Sequence, residues 1–183
     1  MSSSASGSAG KSITIKNRDE IRIMEEANRI VAEVLVMLQN AVEPGITTYE
    51  LDRMAEDLCL KRNAVPAFKG YRGFPGSLCV SINEEVVHGI PSRKRKLKKG
   101  DIISVDFGTL YKGFFGDSAV TIPVGTIDGL KDKLLKVTDE SLHKAIEQVR
   151  VGNRIGDVSA AVQGHVEKNG FSIVRQFVGH GIG

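Results

Sequence analysis

The fold is decided by the stretch GDIISVDFGTLYKGFFGDSAVT, residues 100–121, which carries two strand patterns joined by a short connection containing glycine. Apolar and polar residues alternate on each side of the connection, as expected for strands with one buried face. A turn between Tyr111 and Lys112 would place residues whose numbers add to 223 opposite each other. Asp106 and Asp117 satisfy that sum, so the pattern predicts a hairpin with these two carboxylates as facing partners.

Two facing carboxylates in apolar strands repel each other. They either share a proton, which raises the pKa of one of them, or they hold a cation between them. Carboxylate oxygens together with imidazole nitrogens suit divalent Zn, Mn, Fe or Co, and a shared carboxylate can bridge two ions. The alternative is that Asp106 and Asp117 are strand-end residues that satisfy turns.

Two of the four histidines stand in matching settings. His88 lies in VHGIP and His180 in GHGIG, so each follows a strand-like run and precedes Gly-Ile. A neutral imidazole at such a strand-to-loop position can ligate a metal or hydrogen-bond a substrate. His143 and His165 fall on helix patterns, where a surface or half-buried structural position is the simpler interpretation.

The other periodicities predict an α+β protein. Asn17, Thr47 and Asp128 are predicted helix caps. Helices are predicted over about 17–41, 47–62, 130–149 and 155–169. Strands are predicted over 77–83, 101–108, 117–125 and 171–178.

A weak internal repeat appears at an offset of 107 residues, where VEPGITTYEL (42–51) lies over VRVGNRIGDV (149–158). Each copy continues through a helix, a glycine-containing loop and a strand to His-Gly-Ile. The repeat predicts two similar halves, about 17–125 and from about 128, with a site between them.

Composition limits the class of protein. The chain has 183 residues, 41% of them hydrophobic, and a net charge of +3, which fit one globular domain over 12–183 after a flexible leader at 1–11. No apolar run is long enough to span a membrane. Two cysteines without a C-x-x-C motif argue against a disulfide scaffold or a four-cysteine zinc site, and they favour a reducing compartment such as the cytoplasm.

Two further segments have open interpretations. PAFKGYRGFPGSLC (66–79) is either a surface loop held down by its aromatic residues or one wall of an apolar pocket that leads to His88. RKRKLKK (93–99), called the basic segment below, has six cations in seven residues. It is either a solvated loop or a nucleic-acid contact.

Taken together, SINEEVVHGIP (81–91), the hairpin of residues 100–121 and FVGHGIG (177–183) resemble type I methionine aminopeptidases. The resemblance covers about residues 16–183. It implies a pita-bread fold, in which two pseudo-symmetric halves and a central antiparallel sheet flanked by helices surround a site for two divalent metal ions. It also implies removal of the initiator methionine from new polypeptides by a cytoplasmic monomer that does not enter membranes.

Residue by residue, the resemblance assigns Asp106, Asp117 and His180 as metal ligands and His88 as the catalytic histidine that contacts the substrate. It assigns Tyr71, Phe74 and Cys79 as walls of a methionine pocket. The sequence differs from the family pattern at Phe68, where the family more often has a smaller residue such as cysteine. Two glutamate ligands and a second histidine lie beyond residue 183 in family members. The chain therefore has three of five expected ligands, its second half is expected to be incomplete, and on its own it is expected to be inactive and to aggregate.

Two functions remain open at this stage. The first is the aminopeptidase, with nascent chains as substrate and a ribosome contact through the basic segment. The second is a pita-bread relative without catalytic activity that binds peptide or RNA.

Overall fold

Two capped helices come first in the chain. The structure is a computed structural model that describes residues 13–182. Helix α1 spans Arg18–Ala41 and helix α2 spans Thr48–Lys61. Asn17 Oδ1 accepts from the N–H of Glu20 at 3.0 Å while Glu20 Oε2 accepts from the N–H of Asn17 at 2.7 Å, and Thr47 and Glu50 make the same reciprocal pair before α2. Both predicted caps are confirmed.

The strands form one four-stranded antiparallel sheet. Its members are β1 (Val65–Pro66), β2 (Leu78–Ile82), β3 (Ile102–Tyr111) and β4 (Phe114–Pro123). Strand β3 is central, because β1 and β2 pair along one of its edges and β4 pairs along the other. The sequence had not indicated the two-residue β1.

The two faces of the sheet differ in polarity. On one face Ile103, Val105 and Phe107 of β3 are completely buried, and they belong to the same apolar core as buried residues of α1 and α2. The opposite face is called the polar face below. It carries Ser104, Asp106 and Gly108 of β3 and the residues paired with them, among them Cys79, Thr121 and Asp117. Because side chains alternate along a strand, this arrangement leaves Asp106 on the side away from α1 and α2.

The β3–β4 hairpin has a different register from the predicted one. Its two-residue turn is formed by Lys112 and Gly113, both at positive φ (48° and 87°), as type I′ turns require. Residues whose numbers add to 225 are therefore partners, so that Asp106 faces Ala119 and Asp117 faces Gly108. The prediction of Asp106 directly opposite Asp117 was wrong. The observed register differs from the predicted one by two residues, and side chains two residues apart on a strand point to the same face. Both carboxylates therefore still lie on the polar face, as diagonal neighbours.

Two more helices follow the sheet. Helix α3 spans Gly129–Glu147, with Asp128 as the predicted N-cap, and α4 spans Ile155–Lys168. A hydrogen bond of 2.9 Å between His165 Nε2 and Glu140 Oε2 joins them. His165 thus has a structural contact, in agreement with the simpler interpretation.

The predicted strand at 171–178 was wrong, because this segment has no regular secondary structure. Val174 and Phe177 are each 50% exposed, and no neighbouring strand within residues 13–182 pairs with the segment. An apolar, alternating sequence forms a strand only where another strand supplies hydrogen bonds.

Two predictions from the sequence, the flexible leader and the two halves, are not tested by the fold. The leader predicted at 1–11 falls outside the described residues, and the division into two halves remains a prediction. Within residues 13–182, no helix combines the length and the apolar character that crossing a membrane requires.

Candidate active site

Asp106 and Asp117 are close enough on the polar face for a hydrogen bond between their carboxyl groups. Burial raises the pKa of Asp106 to about 7, and the nearby charge of Asp117 and the hydrogen bond to it act in the same direction. Burial also raises the pKa of Asp117. The pair therefore retains a proton at a pH where ordinary aspartates are ionised.

His180 is near both carboxylates, although it lies in the irregular C-terminal segment. Its charge lowers the pKa of Asp106 and that of Asp117, against the larger effect of burial. The imidazole is exposed, and its Nδ1 lies 3.1 Å from the carbonyl oxygen of Gly181. The structure thus places His180 near the carboxyl pair, and the assignment of the three residues as ligands stays a prediction.

The donor set has the chemistry of a divalent metal site, since two carboxylates that hold a proton in common and an adjacent imidazole can exchange that proton for a cation. The set is not closed, however. Among residues 13–182, no group of three or more His, Cys, Asp or Glu side chains is close enough to hold a metal ion. Asp106 and Asp117 are the two members of this candidate set that lie within hydrogen-bonding reach of each other.

Cys79 links the carboxylates to the loop of His88. It is the cross-strand partner of Asp106, and the backbone N–H of His88 hydrogen-bonds to its thiol. Burial and the charges of Asp106 and Asp117 raise the pKa of the Cys79 thiol to about 12, so the thiol stays protonated and serves as a small apolar group. The His88 ring is exposed and packs edge-on against Phe177, with the ring centroids 6.1 Å apart.

The predicted aromatic wall is only partly at the carboxylates. Phe68 lies against the polar face, where a methyl group added to Gly108 would come within 2.6 Å of Phe68 Cε1. Tyr71, in a single 3₁₀ turn at Tyr71–Gly73, is 63% exposed, and Phe74 follows it as a half-buried residue. Phe68 therefore packs on Gly108, the cross-strand partner of Asp117.

A cleft of about 810 Å³ opens between the polar face and helix α3. Cys79 and Asp106 line its floor together with Ser104 and Thr121, whose hydroxyl oxygens are 2.8 Å apart. Leu135 and other residues of α3 form the wall. These hydroxyl residues were not predicted, although their alternation with Ile103, Val105 and Ile122 is visible in the sequence.

Residues 22–183 match metallopeptidase family M24. The chain is 54% identical over 171 residues to the methionine aminopeptidase of Clostridium acetobutylicum and 52% identical over 171 residues to methionine aminopeptidase 1 of Bacillus subtilis, covering 93% of this chain and 68% of each relative.

Among solved structures, the methionine aminopeptidase of Thermotoga maritima superposes with a TM-score of 0.91 at 43% identity, over 93% of this chain and 69% of that chain. These matches confirm the predicted family resemblance and the pita-bread fold. They also confirm that the chain spans only part of the fold.

Proposed function

This chain belongs to the M24 metallopeptidase family, and we propose that it removes the N-terminal methionine from newly made polypeptides by metal-dependent hydrolysis. The observation that carries the proposal is the proximity of the Asp106 and Asp117 carboxyl groups on the polar face, where burial raises the pKa of both. Identity of 54% to a methionine aminopeptidase supplies the substrate class.

Divalent metal dependence follows from the family. We propose two ions, held in this part of the chain by Asp106, Asp117 and His180. The ligand types accept Co, Mn, Fe or Zn and do not select among them. When bound, such ions acidify a water and polarise the scissile carbonyl.

The protein residues bind and orient the peptide. His88, whose backbone N–H contacts Cys79, is proposed to hydrogen-bond the scissile amide or its leaving nitrogen. Cys79, Tyr71 and Phe74 are proposed as walls for the methionine side chain, whose flexible thioether suits an apolar cleft. Phe68 adds bulk on Gly108, the partner of Asp117, and is proposed to narrow the methionine pocket there.

The proposal is tested with the variants Asp106→Ala and Asp117→Ala. Each variant should release methionine from a Met-Ala-Ser peptide about 100-fold more slowly or worse, because one carboxylate cannot hold the cation alone. Calorimetric titration with Mn²⁺ should show weaker metal binding in both.

Asp128→Asn is the matched control, since it changes a carboxylate outside the site and keeps a good helix cap. Wild-type turnover in either alanine variant would refute the assignment. Normal metal binding in the wild type without methionine release would favour the alternative, a pita-bread protein that binds peptide or RNA.

We also propose that the basic segment contacts the ribosome, and that the protein is a cytoplasmic monomer. The segment is fixed in place, because Leu97 is 2% exposed and exchanges backbone hydrogen bonds of 2.8 and 2.9 Å with Gly45 and Ile46. Lys94, Lys96 and Lys98 project from this fixed backbone as exposed side chains. A preformed row of cations suits the phosphates of RNA.

Replacing Lys94, Lys96 and Lys98 by Gln should reduce co-sedimentation with ribosomes, and most strongly at low salt. The control replaces the exposed Lys61, Lys144 and Lys168 in the same way. Equal co-sedimentation of the two triple variants would dispose of the ribosome contact.

A further inference from the structure

We propose that Glu85 and Arg95 form a positioning pair for His88, holding the loop of residues 83–91 in the conformation that presents the imidazole to the substrate. The presentation to substrate rests on the proposed function. The anchoring of the loop rests on contacts that are independent of it. Glu85 lies at the wall of the cleft described above, and Arg95 lies outside it.

The loop is fixed firmly on the C-terminal side of His88. It leaves β2 at Ile82 and returns to the edge of the same strand, where the carbonyl of Gly89 accepts from the N–H of Val80 at 2.9 Å. The N–H of Gly89 in turn donates to Ser81 Oγ at 3.3 Å. The backbones are so close that a Cβ on Gly89 would lie 1.8 Å from the Val80 carbonyl oxygen.

Glu85 provides the anchor on the N-terminal side. Its N–H donates to the carbonyl of Ile82 at 3.2 Å, and its Oε2 accepts from the N–H of Ile82 at 2.9 Å. The guanidinium of Arg95 donates to the same Oε2. Between this anchor and His88 stand only Val86 and Val87, which are 52% and 43% exposed.

The conformation at His88 needs both anchors because it is intrinsically unfavourable. Val87 and His88 have φ values of 44° and 54°, two successive non-glycine residues in the left-handed region. A β-branched residue such as Val87 rarely adopts that region. Such strain persists only where surrounding contacts hold it, and it concentrates at functional sites.

Arg95 can act as an anchor because its own backbone is fixed. Its carbonyl accepts from the N–H of Thr48 at 3.0 Å, at the start of α2, and Leu97 two residues later is buried in the core. The ion pair therefore ties the histidine loop to the rigid part of the molecule. A functional side chain is held accurately when its supporting contacts come from such rigid elements.

The pair is partly exposed, with 40% of the Glu85 side chain and 31% of the Arg95 side chain accessible. Ion pairs of this kind add little to global stability. Variants should therefore fold normally, and the consequence of removing the pair should be confined to the loop. That difference separates a positioning role from a merely structural one.

The test compares Glu85→Ala and Arg95→Gln with Glu84→Ala. Glu84 is an exposed neighbour whose carboxylate makes no hydrogen bond or ion pair with the described residues. The proteins carry ¹³C-labelled histidine, and a His88→Gln variant assigns the His88 signal. In both variants of the pair, the His88 imidazole signal should shift and the Val80 amide should exchange about fivefold faster or more, while His143 and His165 stay unchanged. The swapped variant, Glu85→Arg with Arg95→Glu, should restore part of both readouts.

The kcat for a Met-Ala-Ser peptide should fall about fivefold, with a smaller change in KM. If the NMR readouts change while turnover does not, the pair anchors the loop and the proposed role of His88 fails. If the His88 signal and Val80 exchange of Glu85→Ala match those of Glu84→Ala, the positioning pair is refuted.

Discussion

At the scale of single residues, the proximity of Asp106 and Asp117 lowers the stability of the fold, and the proposed metal site depends on that proximity. The backbone register places two acids side by side on a half-buried face, where ionising both is unfavourable. The pair was predictable because period-two alternation fixes which residues share a face. Its diagonal geometry was not predictable, because that depends on where the turn falls.

The raised pKa gives the metal-free chain a defined pH dependence. Asp106 has a pKa of about 7 in the folded state, against 3.8 without the fold, so the folded state binds more protons between these values. Stability is therefore greatest at low pH in this window and falls as the pH rises toward 7.

Asp106→Asn removes the ionisation and should raise the free energy of unfolding at pH 8 by about 2 kcal/mol without metal, while flattening the pH dependence. Urea denaturation in EDTA at pH 5 and pH 8 measures both effects. Asp139→Asn, at an exposed position on α3, is the control and should change neither. An Asp106→Asn protein that loses stability at pH 8 would contradict this account.

At the scale of elements, features that depend on neighbouring residues were predicted correctly, whereas features that depend on distant residues were predicted less well. The caps at Asn17, Thr47 and Asp128 were predictable because each bond lies within three residues. The hairpin turn was misplaced because it depends on Lys112 accepting a positive φ beside Gly113. One interpretation of the basic segment was a solvated loop, although its Leu97 is buried in the hydrophobic core.

Gly116 fixes the approach of β4 to α1, which the sequence did not indicate. A Cβ at this position would meet the backbone carbonyl carbon and oxygen of Ala27 at 2.7 Å, and a helix backbone cannot move aside as a side chain can. Gly116→Ala should therefore lower the free energy of unfolding by about 1–3 kcal/mol, measured by urea denaturation.

Gly164→Ala is the matched control with the opposite sign. It lies inside α4 with open space around it, so alanine should stabilise the helix by about 0.5–1 kcal/mol. Equal effects of the two substitutions would show that the α1–β4 contact adapts, and that Gly116 has no packing role.

At the scale of the whole molecule, the two ends of the chain are unequally packed. Helices α1 and α2 cover one face of the sheet and enclose the apolar core, whereas α3 and α4 mainly pack against each other. Leu142 and Ile146 on α3 are 54% and 56% exposed, and Val149 after it is 73% exposed. Helical periodicity predicted α3 correctly but could not show which of its apolar residues have partners.

An exposed apolar surface of this kind predicts self-association of the 183-residue chain alone. Light scattering after size exclusion should show a mass that rises with concentration, together with strong binding of the dye ANS. Leu142→Gln with Ile146→Gln should reduce both, because the two residues lie one helical turn apart on the same strip of α3. Lys144→Gln, between them on an exposed position, should change neither. A wild-type chain that stays monomeric across the concentration range, with a single sharp unfolding transition, would show that this surface is tolerated in water.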